Sequence, residues 1–214
     1  MLDRGKFFAA LRGTSLFPAG LKQFHVDGLN RLLNCWEKYI AKGDPSLQRL
    51  AYDLATSWHE TANTLAPITE RGSASYFLKY EPGTPLGKML GNTQKGDGYR
   101  YRGEGDVQNT GRRNAAFSSK RLNALFGLQV DFVARPDLRG DPLLSALCLF
   151  VGNSEGWWTG KALRQYIDET DEADSEEIKE FIAARHVVNG TDRALEIAQE
   201  ALVFAKALKS ADGV

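Results

Sequence analysis

The sequence predicts a mainly α-helical fold with one irregular, glycine-rich segment, and three observations carry that expectation. Apolar residues recur at helical spacing through most of the chain. Two Asp-Pro pairs, Asp44-Pro45 and Asp141-Pro142, read as helix starts, a capping residue followed by proline in the first helical position. Between 66 and 112 the 3.6-residue period disappears, and glycine, proline, aromatic and charged residues take over.

In chain order, Met1 to Gly13 sets acidic and basic residues around a very short apolar run, which fits neither a secretion signal nor an anchor. Residues 20–42 read as a helix. From Asp44 onward, Leu47, Leu50, Ala51, Leu54, Ala55 and Trp58 form one stripe, which sets Glu60 on the opposite side with Asp53 and Thr56, facing solvent or a cleft. A stretch as long and unpatterned as 66–112 inside a compact domain is normally functional. It is expected to hold turns and short strands forming one wall of a cleft. Residues 113–126 return to helical spacing, and Leu143 to Val151 make a deeply buried helix after Asp141-Pro142. The acidic run Asp168 to Glu177 lacks the glycine and alternating ligands of a calcium loop. It reads as a solvated linker ending in Asp174 or Ser175 as an N-cap, before helices over 176–188 and 191–209.

With 214 residues, 43% of them hydrophobic, the chain can bury one sizeable core, so a single domain over 1–214 is expected, with room for two lobes. Lys and Arg total 27 against 27 Asp and Glu, which gives no global field toward nucleic acid or membrane. The distribution is uneven, however: residues 1–120 carry 17 basic and 11 acidic side chains. An anionic partner would be drawn to that half. No run approaches the roughly 20 apolar residues that span a bilayer. Cys35 and Cys148 each fall in apolar helical stretches and are expected as buried thiols, not a disulfide.

Carboxylates stand where chemistry would need them. Cleavage of a glycosidic bond takes one carboxylic acid to protonate the leaving oxygen and one carboxylate to activate water or attack carbon. His59-Glu60-Thr61 at a helix end, with Glu70 ten residues on, supplies a pair across a helix-to-loop junction, although most such pairs are surface charges. The segment from Gly96 to Asn114 adds specificity. Its glycines let backbone approach a ligand, Tyr99 and Tyr101 offer flat faces, and Gln108 and Thr110 offer neutral hydrogen bonds to hydroxyls or a water.

His-Glu-Thr, a second Glu ten residues later, and Gly98-Tyr99-Arg100-Tyr101-Arg102-Gly103 running on through Gln108, Thr110 and Gly111 together resemble glycoside hydrolase family 19, above all its compact phage-type endolysins. The resemblance covers about residues 50–114. Val187-Val188-Asn189-Gly190 is similar to the family's later Asn-Gly motif, and Lys6-Phe7-Phe8 and Val26-Asp27-Gly28 to the N-terminal parts of phage members. It implies a lysozyme-like helical fold and inverting hydrolysis of β-1,4 bonds between aminosugars, without a cofactor. By the same resemblance Glu60 is the general acid, Glu70 the general base, and Thr110 a holder of the attacking water. Gln108, Tyr101 and Asn189 line the sugar cleft, and Tyr99, Arg102 and His59 complete the expected substrate-contacting set. Peptidoglycan is the expected substrate, with chitin second. The expected enzyme is a monomer without a separate wall-binding module, made in the cytoplasm without a signal peptide and reaching the wall by lysis or a secretion machine.

Two departures stand out. Where the family reads Gly-Arg-Gly and an apolar residue, this chain has Gly103-Glu104-Gly105-Asp106, and Asn109 replaces an aliphatic residue. If Glu104 faces the cleft it raises the pKa of a neighbouring acid; if it faces outward it changes only the surface. A competing reading follows, in which the domain is a non-catalytic wall-binding or structural module. Other features leave alternatives open: His59 orients the acid or makes a structural hydrogen bond, and Trp157-Trp158 stack on sugar or pack in a core. Three separated histidines and two helical cysteines make no usual zinc cluster, so no metal is expected. Arg100, Arg102, Arg112 and Arg113 among tyrosines could suggest nucleic acid, but the neutral charge and lack of a recognition helix weigh against it.

Overall fold

The computed structural model describes residues 1–170 and 173–212. Asp171 and Glu172 of the acidic run lie outside the described residues. In chain order the elements are α1 (Arg4–Leu11), α2 (Gln23–Cys35) continuing into a π-helical turn (Trp36–Ile40), α3 (Leu47–Glu60), β1 (Ile68–Thr69), a 3-10 turn (Tyr76–Tyr80), α4 (Pro85–Met89), α5 (Asp97–Arg100), β2 (Glu104–Gly105), α6 (Arg112–Phe126), a 3-10 turn (Pro136–Gly140), α7 (Pro142–Glu155), a further 3-10 turn (Leu163–Gln165), α8 (Asp174–Ala184) with a 3-10 extension (Arg185–Val187), and α9 (Ala194–Ala211). The fold is mainly α with a short β segment. The chain forms two compact units: Met1–Leu65 with Phe150–Val214, and Ala66–Leu149.

In the first unit α9 packs on α1, α3 and α8. Ala51 and Ala55 on α3, and Ala198 and Ala201 on α9, are all fully buried, and side chains this small let packed helices approach closely. Phe17 fills the space between helices, edge-on to Trp58 at 5.0 Å and to Phe204 at 6.5 Å. Each such aromatic or leucine side chain contributes about 1.5–3 kcal/mol by leaving water. The backbone N–H of Asp3 donates to the Ala211 carbonyl at 2.9 Å, tying the start of the unit to its last helix.

The predicted stripe on α3 is buried, Leu47 only in part. The opposite side is buried too, which corrects the expectation of a solvent or cleft face: Asp53 is 5% and Thr56 0% exposed. Asn153 of α7 explains how a carboxylate is accommodated there, donating to Asp53 at 2.7 Å while its own amide oxygen accepts the Trp158 indole N–H at 2.9 Å. Burial holds the Asp53 carboxyl well above its ordinary range. Trp158 is thus committed to a structural bond.

The Asp141-Pro142 start holds, with Pro142 first in α7 and the Asp141 carboxylate accepting from the Leu143 and Leu144 N–H groups, but the Asp44-Pro45 start does not. Ser46 caps α3, its hydroxyl accepting from the Arg49 N–H, while Asp44 pairs with the Arg49 guanidinium at 2.7 Å. At α8 the N-cap is Ala173, and Asp174, Glu176 and Glu177 occupy the first turn, where the helix dipole favours them. After α3 the chain turns through Ala62, Asn63 and Leu65, all at positive φ, a region most side chains avoid. Arg31 donates to the Leu65 carbonyl at 2.9 Å, and Gly28 is required beneath it, because a Cβ there would lie 2.5 Å from that oxygen.

The second unit holds the irregular segment and α6. β1 and β2 pair antiparallel, Ile68 opposite Gly105 and Thr69 opposite Glu104. Short helices occupy much of 76–100, where turns and strands were expected. Asp97 organises them: its carboxylate accepts from Thr93 N, Gln94 N and the Arg112 side chain. Burial alone would raise this carboxyl, but the Arg112 and backbone donors outweigh it and hold the pKa below 3.8. Cys35 and Cys148 are both buried, and neither is in a disulfide.

Candidate active site

Glu60 ends α3, a position its helix fixes, with the side chain 18% exposed. The Arg185 Nη1 atom donates to Glu60 Oε1 at 3.1 Å. Arg185 is itself 1% exposed, and its Nε donates to the Asp192 carbonyl at 2.9 Å. A buried guanidinium needs an anion, and Glu60 supplies it. The Arg185 carbonyl in turn accepts the backbone N–H of Asn189 at 3.0 Å. Asn189 is exposed, and this backbone bond ties the Asn-Gly segment to the turn that carries the arginine bonded to Glu60. Sequence reading missed Arg185, although it was visible as a cation on the apolar stripe of Phe181, Ala184 and Val188.

His59 is half-buried, and burial lowers its pKa from 6.5 in spite of neighbouring Glu60. Beside it lie Glu196 and Glu200 of α9. Burial and the charge of Glu196 push the Glu200 carboxyl up to about 7, against the lowering effect of a hydrogen bond from Trp58.

Glu70 belongs to the second unit and is held from both sides. Its backbone N–H donates to the Gly103 carbonyl at 2.8 Å, which extends the β1–β2 pairing by one residue. The Gly103 N–H donates to Glu70 Oε2 at 2.9 Å and the Tyr80 hydroxyl to Oε1 at 3.2 Å. Burial together with the charge of Glu70 raises the Tyr80 phenol above 10, which keeps it a donor. A Cβ at Gly103 would lie 2.6 Å from Gln108 Oε1, so a side chain there would displace that amide. Gln108 takes a left-handed backbone, φ 50, and its amide donates to the Ile68 and Gly105 carbonyls. Its side chain therefore clamps the loop, with only the oxygen left for a ligand. Thr110 donates its hydroxyl proton to the Gln108 carbonyl at 2.7 Å, so toward any further group it acts as an acceptor.

The tyrosines divide. Tyr99 is 53% exposed with the Arg102 guanidinium 4.2 Å above its ring, and Arg102 Nη1 donates to its carbonyl. Tyr101 is 1% exposed and hydrogen-bonded to the Val133 carbonyl. This corrects the expectation that Tyr101 offers a face to sugar: the Arg112 guanidinium covers its ring at 4.8 Å and buried Arg139 lies at 5.8 Å. Burial lowers the Arg139 pKa to about 10.

Glu104 is partly buried, accepts from the Thr69 hydroxyl at 2.7 Å, and lines a pocket of about 440 Å³ with Tyr99, Arg100, Arg102, Asp137 and Arg139. Burial raises its pKa, partly offset by Thr69 and the arginines. Asp106 is fully buried and accepts from the Ser145 hydroxyl, and Asn109 is buried with its amide on Ser118. These two departures from the family pattern therefore pin the loop to α7 and α6. A larger groove of about 510 Å³ lies in the first unit, lined by Gln48, Glu169, Lys206 and Lys209 among others, and contains none of the candidate residues.

The candidate residues thus fall in two sets, His59, Glu60 and Asn189 in one unit and Glu70, Tyr99, Tyr101, Arg102, Gln108 and Thr110 in the other. Compared with protein-family models and with curated proteins, the chain has no match in either.

Proposed function

We propose that this protein is a peptidoglycan-degrading glycoside hydrolase similar to family 19, cutting β-1,4 bonds between aminosugars by inversion. The observation that carries the reading is the hold on Glu70. The glycine-rich motif residue Gly103 and Tyr80 each donate to one of its oxygens, so the carboxylate is fixed by the segment on which the resemblance rests. A general base must be aimed before it can align water.

In this mechanism Glu60 acts in its carboxylic-acid form, giving its proton to the leaving oxygen and becoming the anion that Arg185 pairs with, and Arg185 is a positioning residue that sets the carboxyl rotamer. Water on the opposite face gives one hydrogen bond to Glu70 and one to Thr110, whose hydroxyl, having spent its proton on Gln108, is an acceptor. Inversion requires the two carboxyl groups to stand about 6.5–9.5 Å apart in the substrate complex. Exposed Tyr99 and partly exposed Arg102 suit an anionic, peptide-bearing glycan better than neutral chitin. The chain needs no cofactor for this reaction, and it reaches the wall after lysis or by a secretion machine.

The test is reducing-end release from purified Gram-negative peptidoglycan and, in parallel, from chitin oligosaccharides, by the wild type, Glu60→Gln and Glu70→Gln. Turnover of peptidoglycan that each substitution lowers by about 100-fold or more is expected. Hydrolysis retained by Glu60→Gln would sink the assignment. A folded wild type that sediments with walls yet releases no reducing ends would make the chain a binding module.

A further inference from the structure

We propose that His59, Glu196 and Glu200 form a divalent-cation site of the zinc type, joining α3 to α9 beside Glu60. Glu196 and Glu200 are four residues apart on α9 and so share a face, and His59 meets them from α3. An imidazole nitrogen and one oxygen from each carboxylate all lie within 4.8 Å of one another. A tetrahedral zinc with ligands at about 2.0–2.2 Å draws its donors to about 3.4 Å apart, a change that side-chain rotation supplies.

A second, independent observation points to a ligand. Glu200 is 9% exposed, and its Oε2 is buried with no hydrogen-bond partner. A buried carboxylate oxygen without a donor is rare in native proteins, and a cation is one of the few things that satisfies it. The Trp58 side chain bonds Glu200 and so holds the group in place, as the outer partners of metal ligands do. The competing cation is Arg193, whose Nη1 lies 3.2 Å from Glu196 Oε2. Both of its partners in that pair are more than half exposed, so the contact is weak and easily displaced.

The donor set decides the class. One nitrogen and two carboxylate oxygens suit zinc or manganese, and no thiolate favours copper(I) or an iron–sulfur cluster. Three protein ligands leave one position for water. The assignment stands on the first unit alone and does not depend on glycan hydrolysis.

The experiment uses the full-length, tag-free chain after chelator dialysis, titrated with zinc chloride by calorimetry and followed by thermal melting. One zinc per chain and a rise in melting temperature are expected for the wild type. Glu200→Gln and Glu196→Gln should each weaken the affinity by about tenfold or more and abolish the rise, whereas His186→Gln, outside the cluster, should keep both. Should Glu200→Gln fail to fold, the exposed Glu196→Gln carries the comparison. No zinc binding by the wild type, binding unchanged in Glu196→Gln, or loss in His186→Gln would each overturn the proposal.

Discussion

Glu60 shows how a single contact couples chemistry to stability. Arg185 is buried and depends on that carboxylate, so removing the charge strands a cation. Glu60→Ala is expected to cost about 3 kcal/mol of unfolding free energy, and Glu60→Gln, which keeps an acceptor oxygen, about 1 kcal/mol. Urea titrations of the two variants check this; equal losses would mean that Arg185 does not rely on position 60. At this scale the sequence showed the residue types but not their partners. Glu60 and Glu70 stood out only because the motifs around them resemble family 19, since most glutamate pairs at that spacing are surface charges. Arg185, Tyr80 and the Glu196–Glu200 pair did not, since their roles arise from contacts between residues far apart in the chain. Tyr101 was misread for a related reason: a tyrosine among arginines looks exposed until one sees that the guanidiniums form its lid.

Among the elements, α3 and α9 depend on small side chains where they meet. Ala201 is fully buried, so Ala201→Leu should overpack the contact and cost about 1–3 kcal/mol. Leu195→Ala, on the 55% exposed side of the same helix, should stay within about 0.5 kcal/mol. Denaturation midpoints of the pair decide whether the alanines are a packing requirement or only helix formers. The longer helices were legible because periodicity over a dozen residues averages out single exceptions. The helices of five and four residues at Pro85–Met89 and Asp97–Arg100 were not. They are shorter than two turns, too short to display a period, and α5 is held by the Asp97 and Glu81 carboxylates rather than by an apolar stripe. The burial of both sides of α3 was hidden because Asp53 looks like a solvent residue until Asn153 is placed against it.

For the whole molecule, Asp97 in one unit and Asp53 and Glu200 in the other respond to acid with opposite signs. Asp97, in the second unit, has a folded pKa below 3.8, so its stabilisation is present above that pH and is lost as pH falls through the folded value. Asp53 and Glu200, in the first unit, have raised values, so protonation on acidification relieves a cost. All four tryptophans, at 36, 58, 157 and 158, belong to the first unit, while Tyr76, Tyr80, Tyr99 and Tyr101 belong to the second. Tyr39, Tyr52 and Tyr166 share the first unit, so below pH 4 only the part of the near-ultraviolet tyrosine signal that the other four supply is expected to be lost before tryptophan emission shifts, and Asp97→Asn should remove much of that gap. Coincident transitions in the wild type would show that the units unfold as one.

The hydrogen bond between Asp3 and Ala211 has a consequence for biosynthesis. The second unit is one continuous stretch and can complete itself while the ribosome is still at work. The first unit must wait for α9, which packs on α1 and α3 and is the last described helix to emerge. Until then the apolar sides of α1 and α3 stay in water, and Glu60 lacks the arginine that aims it. A polypeptide lacking α9 would thus hold a finished Glu70 loop and an unfinished Glu60, and under the proposed mechanism only the emergence of α9 would arm it.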